Sequence, residues 1–521
     1  MVEFVPDGAE DFRWLSGRLE NCSERSLVFA LLAIALAIRV YLSLTSFCIS
    51  GDGAAYLGMA RQFSAGHPAA AMNSVFSPLY PWLISWVHYV IPDWETAGEL
   101  VSTLFGTVTI VTTYGIMREV FERRDLAFGA GALAAIHPQL TAYSASVRTE
   151  AGFIFLMTAS VLLLIHGLKR ERSALVLAAG VVGGVGYLYR TEAIGLLIVA
   201  AGFMPIGALL WRRWSFRWGL WAAALFSLGF LALAAPYLIF LRVSTGHWSV
   251  GREFAAAMMY GMSEVAPNRA AWRRLGFSAE AAPLAAVMAH PWLYCQKVAA
   301  DFIASFYGFL QALGPVLTVL MLVGLWAHGR KLFGNFAESF LALLIAFYFC
   351  GFALSYTGTR FMVHFIAFTF GWVMLGLEAV ARVLNRTVTV GGWRLPEGAL
   401  AIVIALTLLP RTLWPIGYDL RGLRYAAEDI ARRGDKPQAI VARDGRVAYY
   451  AGAKQIALPE RPLPNLCEWL AAHEHADYLM IGNRDERKFG IDRGAACLEF
   501  VKRYPRYGSG YYDLFAIRHS N

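Results

Sequence analysis

The sequence predicts an α-helical polytopic membrane protein that ends in a small soluble α/β domain. Of its 521 residues, 57% are hydrophobic and 16% are charged, whereas an average soluble domain has about 45–50% and about 25%. Apolar stretches of about 16–25 residues recur from Ser26 to Pro410, and such a stretch can cross a hydrocarbon core about 30 Å thick. After about residue 412 the composition becomes that of a soluble protein.

Basic residues predict the orientation of the spans. The net charge of +9 comes largely from short Lys and Arg clusters beside apolar runs, which is typical of cytoplasmic loops and does not indicate nucleic-acid binding. The clusters are Arg118–Arg124, Lys169–Arg172, Arg212–Arg217, His328–Lys331 and Arg382–Arg394. The polar first 25 residues favour a cytoplasmic tail without a cleavable signal peptide.

About eleven crossings are compatible with these clusters. The predicted spans are about 26–50, 98–117, 126–142, 151–168, 174–189, 194–211, 218–241, 312–327, 335–356, 361–381 and 397–411. A shorter run at about 77–91 is interpreted as a juxtamembrane helix at the outer interface, because its Trp and Tyr residues suit the headgroup level. With that choice, Asp52 and Glu150 lie on the same outer side of the membrane.

The predicted domains follow from these spans. Residues 1–411 form a transmembrane domain with a first outer loop at about 51–97 and a long outer loop at about 242–311. Residues 412–521 form a periplasmic or extracellular α/β domain, in which Cys467 and Cys497 either form a disulfide or remain free. Its predicted helices are Leu420–Arg433 and Cys467–His475, and its predicted strands are Ala439–Ala442, Tyr478–Ile481 and Tyr512–Ile517.

Two acids mark the outer face. Asp52 lies between two glycines just after the first span, which leaves its carboxylate uncovered, although it is equally suited to cap the helix that follows. Glu150 begins the next inward span, where an acid also favours the helix dipole. Arg148, two residues earlier, is placed to pair with Glu150 or to bind an anion.

Three arginines are the candidate cations near this face. Arg190 and Glu192 form an outer turn, either as a mutual pair or as part of a site. Arg360 lies in a tight outer turn between two spans, where it suits a lipid-linked phosphate or serves as a headgroup anchor. Arg39 lies in the middle of the first span, so we expect it to have a partner inside the bundle.

The order of these motifs resembles the GT-C membrane glycosyltransferases. More narrowly, it resembles the bacterial branch that includes protein O-mannosyltransferases and the lipid A aminoarabinose transferase. The resemblance covers about residues 26–381 and is carried by Gly51-Asp52-Gly53-Ala54-Ala55-Tyr56-Leu57, Ser77-Pro78-Leu79-Tyr80-Pro81, His137-Pro138, Thr149-Glu150, Leu188-Tyr189-Arg190-Thr191-Glu192 and Thr359-Arg360-Phe361. One departure is His364, which replaces the family's usual proline.

The resemblance implies a glycosyltransferase of the cell (inner) membrane, with its active site on the periplasmic or extracellular side. A hexosyl or pentosyl group moves from a polyprenyl-phosphate donor to a lipid, glycan or protein acceptor, with inversion. Asp52 then matches the catalytic base, Glu150 the acid of the second outer loop, and Arg360, with Arg190 and Arg148, the donor phosphate site. Further candidates in or near the motifs are Tyr56, Tyr80, Glu192, His67 and Arg39.

A divalent cation is an open alternative at the acids. Carboxylates are the ligands that hard cations prefer, so Asp52 and Glu150 would be its ligands, with His67 and His247 as further candidates. A membrane transporter or a flippase or polymerase for lipid-linked glycans is the competing function. Arg39 supports that alternative, because charges near the bilayer centre mark transport pathways.

Overall fold

The computed structural model describes residues 23–72, 75–246, 248, 258, 262, 287–387, 397–434, 437–459, 463, 465–489, 491, 495–506 and 508–518. The predicted cytoplasmic tail and most of the predicted long outer loop therefore lie outside the described residues. Within the described part, helices form the membrane portion and a five-stranded sheet lies near the C-terminus.

The membrane portion consists of helices of very different lengths. In chain order they are α1 (Glu24–Leu44), α2 (Gly53–Ser64), α3 (Pro68–Ala71), α4 (Leu79–His88), α5 (Trp94–Phe121), α6 (Arg124–Ile136), α7 (Pro138–Ser144), α8 (Glu150–Lys169), α9 (Ser173–Tyr189), α10 (Ile194–Trp211), α11 (Phe216–Thr245), α12 (Pro291–Leu313), α13 (Pro315–His328), α14 (Phe336–Leu354), α15 (Thr359–Thr387) and α16 (Glu397–Thr412).

Seven of the described helices are long and apolar enough to cross a membrane, namely α1, α5, α8, α10 with the turn before it, α11, α14 and α15. An eighth is added if α12 and α13, which meet at a bend of 107°, count as one span. The polytopic helical fold is thus confirmed, whereas the total of eleven crossings stays a prediction. Helix α4 has 10 residues and rises only about 15 Å, which agrees with its interpretation as a juxtamembrane helix.

Two elements differ from the sequence prediction. The predicted span at 126–142 is divided into α6 and α7 at His137, because Pro138 has no N–H group with which to continue the helix. The last part of the predicted long loop is helical, as α12 begins at Pro291. A proline at the first helical position favours such a start, because its missing N–H would have no helical partner there.

Glycines allow the closest helix contacts. A Cβ atom at Gly376 of α15 would lie 1.8 Å from the carbonyl oxygen of Leu320 in α13, and one at Gly180 of α9 would lie 2.1 Å from that of Phe226 in α11. Larger side chains would force these backbones apart, which is why small residues mark helix interfaces in membranes.

The C-terminal domain has a mixed sheet. Its helices are α17 (Arg421–Arg432), α18 (Arg446–Tyr450), α19 (Leu466–Ala471) and α20 (Asn483–Phe489), and its strands are β1 (Ala439–Ala442), β2 (Lys454–Ala457), β3 (Ala476–Gly482), β4 (Leu498–Pro505) and β5 (Tyr511–Ile517). The strand order is β2-β1-β3-β5-β4. β1 is parallel to β2 and β3, and β5 is antiparallel to β3 and β4. The prediction of an α/β domain is confirmed, although it missed the two edge strands β2 and β4.

Arg39 has backbone partners inside the bundle. Its side chain is buried, and the guanidinium donates to the carbonyl oxygens of Ala35 at 3.0 Å, Ala135 at 3.2 Å and Ala134 at 3.3 Å. The last two belong to the final turn of α6, where carbonyl groups have no partner within the helix. Arg39 therefore caps the end of α6 where the chain breaks.

Replacing Arg39 by Met should destabilise the membrane portion by about 1–3 kcal/mol, because the buried carbonyl groups of α6 lose their donor. The measurement is the unfolding temperature of the purified protein in detergent. Arg25→Met is the matched control, because Arg25 is exposed at the start of the same helix. An unfolding temperature for Arg39→Met equal to that of the control would contradict the capping role.

Cys467 and Cys497 form a disulfide, with Cα atoms 5.6 Å apart. This decides between the two alternatives left open by the sequence. The bond joins the start of α19 to the residue before β4, across 30 residues of chain. Disulfides persist in oxidising compartments, so the bond supports the predicted outer location of the domain.

Replacing both cysteines by Ser should destabilise the α/β domain by about 3–4 kcal/mol, because a loop of this length gains entropy in the unfolded state. Limited proteolysis within residues 412–521 should then become faster than in the wild type. Treating the wild type with a reductant should have the same effect. Equal proteolysis rates with and without reductant, together with free-thiol labelling of both cysteines, would show that the bond is not formed in the purified protein.

Candidate active site

Asp52 lies in the turn between α1 and α2. Although it occupies the N-cap position of α2, its side chain accepts no capping hydrogen bond. The carboxylate instead forms an ion pair with Arg360 through Oδ2, and Oδ1 has no hydrogen-bond partner among the described residues. A Cβ atom at the next residue, Gly53, would lie 2.4 Å from Ile49 Cγ1. Glycine is therefore required for the close turn that presents Asp52.

Glu150 begins α8 and is completely buried. Its Oε1 pairs with Arg360 Nε and lies 3.4 Å from Arg190 Nη1, while its Oε2 has no partner in the described part of the chain. The structure thus brings together the two predicted acids through a single guanidinium. Their environments differ, since 35% of the Asp52 side chain is exposed and none of the Glu150 side chain is.

Arg360 lies in the first turn of α15 and joins the two acids. Several hydrogen bonds from α12 hold the turn that precedes it. Tyr294 donates to the carbonyl oxygen of Leu354 at 2.8 Å, and Ser305 Oγ lies 2.6 Å from Thr357 Oγ1. Lys297 donates to the carbonyl oxygen of Ser355. The position of Arg360 is thus set by the helix at the end of the predicted long loop.

Arg190 supplies a second cation, which is more buried than Arg360. Its Nη2 lies 2.5 Å from Glu192 Oε1, and its Nη1 donates to Thr149 Oγ1 at 2.9 Å. Burial lowers the pKa of Arg190, but the carboxylates of Glu192 and Glu150 outweigh burial and raise it. Arg190 therefore stays charged beside Glu150. Its ion pair with Glu192 forms part of the same cluster.

Aromatic rings form the floor of this cluster. The ring of Tyr80 lies between those of Tyr56 and Tyr189, with centroid distances of 5.4 and 5.5 Å. Tyr56 Oη lies 3.5 Å from Thr149 Oγ1, and burial raises the pKa of Tyr56 to about 12. Tyr56 thus lies near the charges with Tyr80 packed against it, and Tyr56 remains a neutral hydroxyl at physiological pH.

Other predicted site residues take no part in the ion pairs of this cluster among the described residues. Arg148 stacks on Tyr143, with its guanidinium carbon 4.7 Å from the ring centroid. His67 is exposed before α3, and Arg39 caps α6 within the bundle. His247 lies outside the described residues.

The donor atoms do not favour a metal site. Among the described residues, no group of three or more His, Cys, Asp and Glu side chains is placed to hold a metal ion. Asp52 and Glu150 already share the guanidinium of Arg360, which supplies positive charge between them. We therefore derive no chemical step through a metal.

Three residues of the cluster were not among the predicted site residues. Thr149 and Tyr189 each directly precede a predicted residue in the quoted motifs, and this adjacency was the available signal. His364 lies one helical turn after Arg360, is fully buried, and has no partner on either ring nitrogen among the described residues. Its ring lies 4.7 Å from that of Phe153 in α8, where it packs beneath the charges.

The arrangement suits a transfer reaction with an anionic leaving group. Asp52 and Arg360 are partly exposed, with 35% and 30% of their side chains accessible, while Glu150 lies behind them. A carboxylate with a free oxygen can accept a proton, and an adjacent guanidinium can bind phosphate oxygens. The buried acid holds the guanidinium in place.

Comparisons with known proteins agree with the interpretation of this cluster as the site of a transfer reaction. Residues 67–240 match a family model described as dolichyl-phosphate-mannose-protein mannosyltransferase. None of the curated proteins matches the chain.

Solved structures of membrane transferases share the fold. The oligosaccharyltransferase of Archaeoglobus fulgidus, in complex with Zn and sulfate, superposes with a TM-score of 0.57 at 15% identity, over 87% of this chain and 67% of that chain. ArnT from Cupriavidus metallidurans bound to undecaprenyl phosphate gives 0.54 at 13% identity, over 95% of this chain and 98% of that chain. The resemblance to the GT-C superfamily, predicted from the sequence, is confirmed by the family model and by the fold.

Proposed function

We propose that this chain is a glycosyltransferase that moves a sugar from a polyprenyl-phosphate donor to a lipid, glycan or protein acceptor on the outer face of the membrane. The observation that carries the proposal is the guanidinium of Arg360, which joins a partly exposed acid, Asp52, to a buried one, Glu150. The similar ArnT structure binds undecaprenyl phosphate, which supports a lipid phosphate as the donor carrier.

The reaction needs one base and one phosphate-binding cation. Asp52 accepts the proton of the acceptor hydroxyl or amine while that atom attacks the anomeric carbon. The bond between this carbon and the phosphate oxygen breaks, and polyprenyl phosphate leaves with the electron pair. Because the displacement is a single step, the configuration at the anomeric carbon inverts. A glycosidase needs an additional acid to protonate a poor leaving group, whereas phosphate leaves as an anion.

Arg360 and Arg190 stabilise the negative charge that develops on the phosphate. Preorganised cations in a partly buried site are effective because they need little reorganisation during the reaction. Glu150 and Glu192 hold the two guanidinium groups in position. Tyr56 and Tyr80 are buried beside this cluster, where their packed rings support it.

The outer location of the site rests on two observations. The disulfide of the α/β domain suits an oxidising compartment, and basic clusters flank the opposite ends of the spans. We therefore place the site on the periplasmic or extracellular side of the cell membrane.

The competing function is a transporter or flippase. Arg39 was the feature that supported it, but this side chain donates to helix-end carbonyl groups. A structural role of this kind accounts for the charge without a transport pathway.

A transfer assay separates these functions. The purified full chain is incubated with labelled sugars on polyprenyl phosphate or polyprenyl diphosphate, and with membrane extracts as acceptor. We expect product only from the monophosphate donors, with release of polyprenyl phosphate. Translocation of donor lipid in proteoliposomes without any transfer would instead support the flippase.

A further inference from the structure

The α/β domain contacts the peptide segment that leads to Asp52. Helix α18 lies against Ile49, three residues before Asp52. Arg446 Nε donates to the carbonyl oxygen of Ile49 at 2.7 Å, and Tyr450 Oη accepts the N–H of Ile49 at 2.7 Å. Two side chains of one short helix thus satisfy both backbone groups of a single residue.

These two side chains are themselves held in place. Arg446 Nη1 lies 2.5 Å from Asp444 Oδ2, and Tyr450 Oη donates to Glu95 Oε1 at 2.9 Å. Glu95 lies in the first turn of α5, in the membrane portion. The contact therefore links the two domains through groups with few alternative positions.

Ile49 in turn sets the position of Asp52. The Ile49 side chain is buried and packs against Gly53, so closely that a Cβ atom there would lie 2.4 Å from Ile49 Cγ1. Ser50 Oγ donates to the carbonyl oxygen of Val147 at 2.6 Å, in the segment that leads to Glu150. A displacement of Ile49 would therefore be transmitted to the turn that carries Asp52.

We propose that α18 positions the catalytic base, with Arg446 and Tyr450 as the positioning residues that act through Ile49. This inference rests on the proposed function. The α/β domain then contributes to the geometry of the active site, because without its two hydrogen bonds the turn that carries Asp52 is less restrained. A misplacement of about 1 Å in a reacting group is enough to lower turnover substantially.

The test compares Tyr450→Phe and Arg446→Met in the full-length protein. Each should lower kcat about tenfold, as expected when one hydrogen bond that orients a catalytic group is lost. The KM for the donor should stay within about twofold of the wild type, since Arg360 and Arg190 bind the phosphate. Arg446→Lys, which keeps a donor for the Ile49 carbonyl group, should recover part of the lost turnover.

Arg443→Met is the matched control. Arg443 directly follows β1, three residues before Arg446, and is also paired with an acid, Asp485, at 2.7 Å. We expect wild-type turnover for this variant. The unfolding temperatures of the Tyr450 and Arg446 variants should lie close to that of the control.

The outcomes separate the two proposals. If Asp52→Asn abolishes turnover but Tyr450→Phe and Arg446→Met have wild-type kcat, the positioning role is overturned and the proposed function stands. A fall in kcat that is matched by a fall in unfolding temperature, and that Arg446→Lys does not relieve, also overturns it. If Asp52→Asn retains turnover, Asp52 is not the base and the proposed mechanism fails first.

Discussion

Asp52→Asn should lower kcat roughly a thousandfold, within the range of about 10²–10⁴ that general base catalysis contributes. The amide keeps the size of the carboxylate and can still accept a hydrogen bond from Arg360, but it cannot take a proton from the acceptor. We therefore expect the KM for the donor and the unfolding temperature to change little. The measurement is the initial rate of sugar transfer at saturating donor.

Asp93→Asn provides the control for this substitution. Asp93 lies in the same predicted outer loop, where its Oδ1 accepts the N–H of Thr96 at 2.8 Å and caps α5. Asn caps helices about as well as Asp, so this variant should be as active as the wild type. Undiminished transfer by Asp52→Asn would remove the assignment of the base.

Arg360→Met should lower kcat about 10²–10³-fold, the range measured when one preorganised electrostatic group is removed from an active site. Binding of polyprenyl phosphate should also weaken, because the site loses its more exposed cation. Arg360→Lys should recover only part of the activity, since an ammonium group cannot pair with Asp52 and Glu150 in the two-pronged geometry of a guanidinium. Transfer rates and lipid-phosphate binding measure these effects.

Arg360→Met should in addition destabilise the protein by about 3–5 kcal/mol, because Glu150 remains buried without its main partner. Adding Glu150→Gln to Arg360→Met removes the buried charge. We expect the double variant to regain much of the unfolding temperature but none of the activity. Recovery of both would mean that Arg360 acts only as a structural partner of Glu150.

Arg382→Met is the control for the Arg360 variants. Arg382 lies near the opposite end of the same helix, 60% of its side chain is exposed, and it also pairs with a glutamate, Glu378. Transfer rates for this variant should match the wild type. A comparable loss of activity in Arg382→Met would show that the effect is not specific to the site.

Much of the candidate site could be predicted because its residues stand at the ends of apolar runs. Asp52, Glu150 and Arg360 each lie next to a predicted span. Because an even number of predicted crossings separates Asp52 from Glu150, the prediction placed the two acids on the same side of the membrane. Thr149 and Tyr189 were missed because placing an uncharged residue at the end of a span costs little free energy. Nothing in the sequence therefore distinguishes these two residues from their neighbours. The phosphate role of Arg148 stays a prediction, and its stacking on Tyr143 could not be predicted because the sequence does not specify where a side chain points.

The different exposure of the two acids could not be predicted. In the sequence, Asp52 and Glu150 are both single acids at helix starts, with equally plausible roles as helix-capping or catalytic groups. In the structure one is partly exposed and the other is covered on every side. This difference depends on how α15 packs against the segments that carry the two acids, and it separates the proposed base from the acid that holds Arg360.

The sequence by itself determined the membrane class, the ends of most long helices and the residue types beside those ends, because hydropathy and charge are properties of short contiguous segments. Only the tertiary structure decided which of these residues meet. Arg360 and Asp52 are 308 positions apart, and Tyr450 reaches Ile49 across 401 positions. Such contacts depend on the lateral packing of helices and on domain docking, since the pattern of one segment carries no information about its neighbour in space.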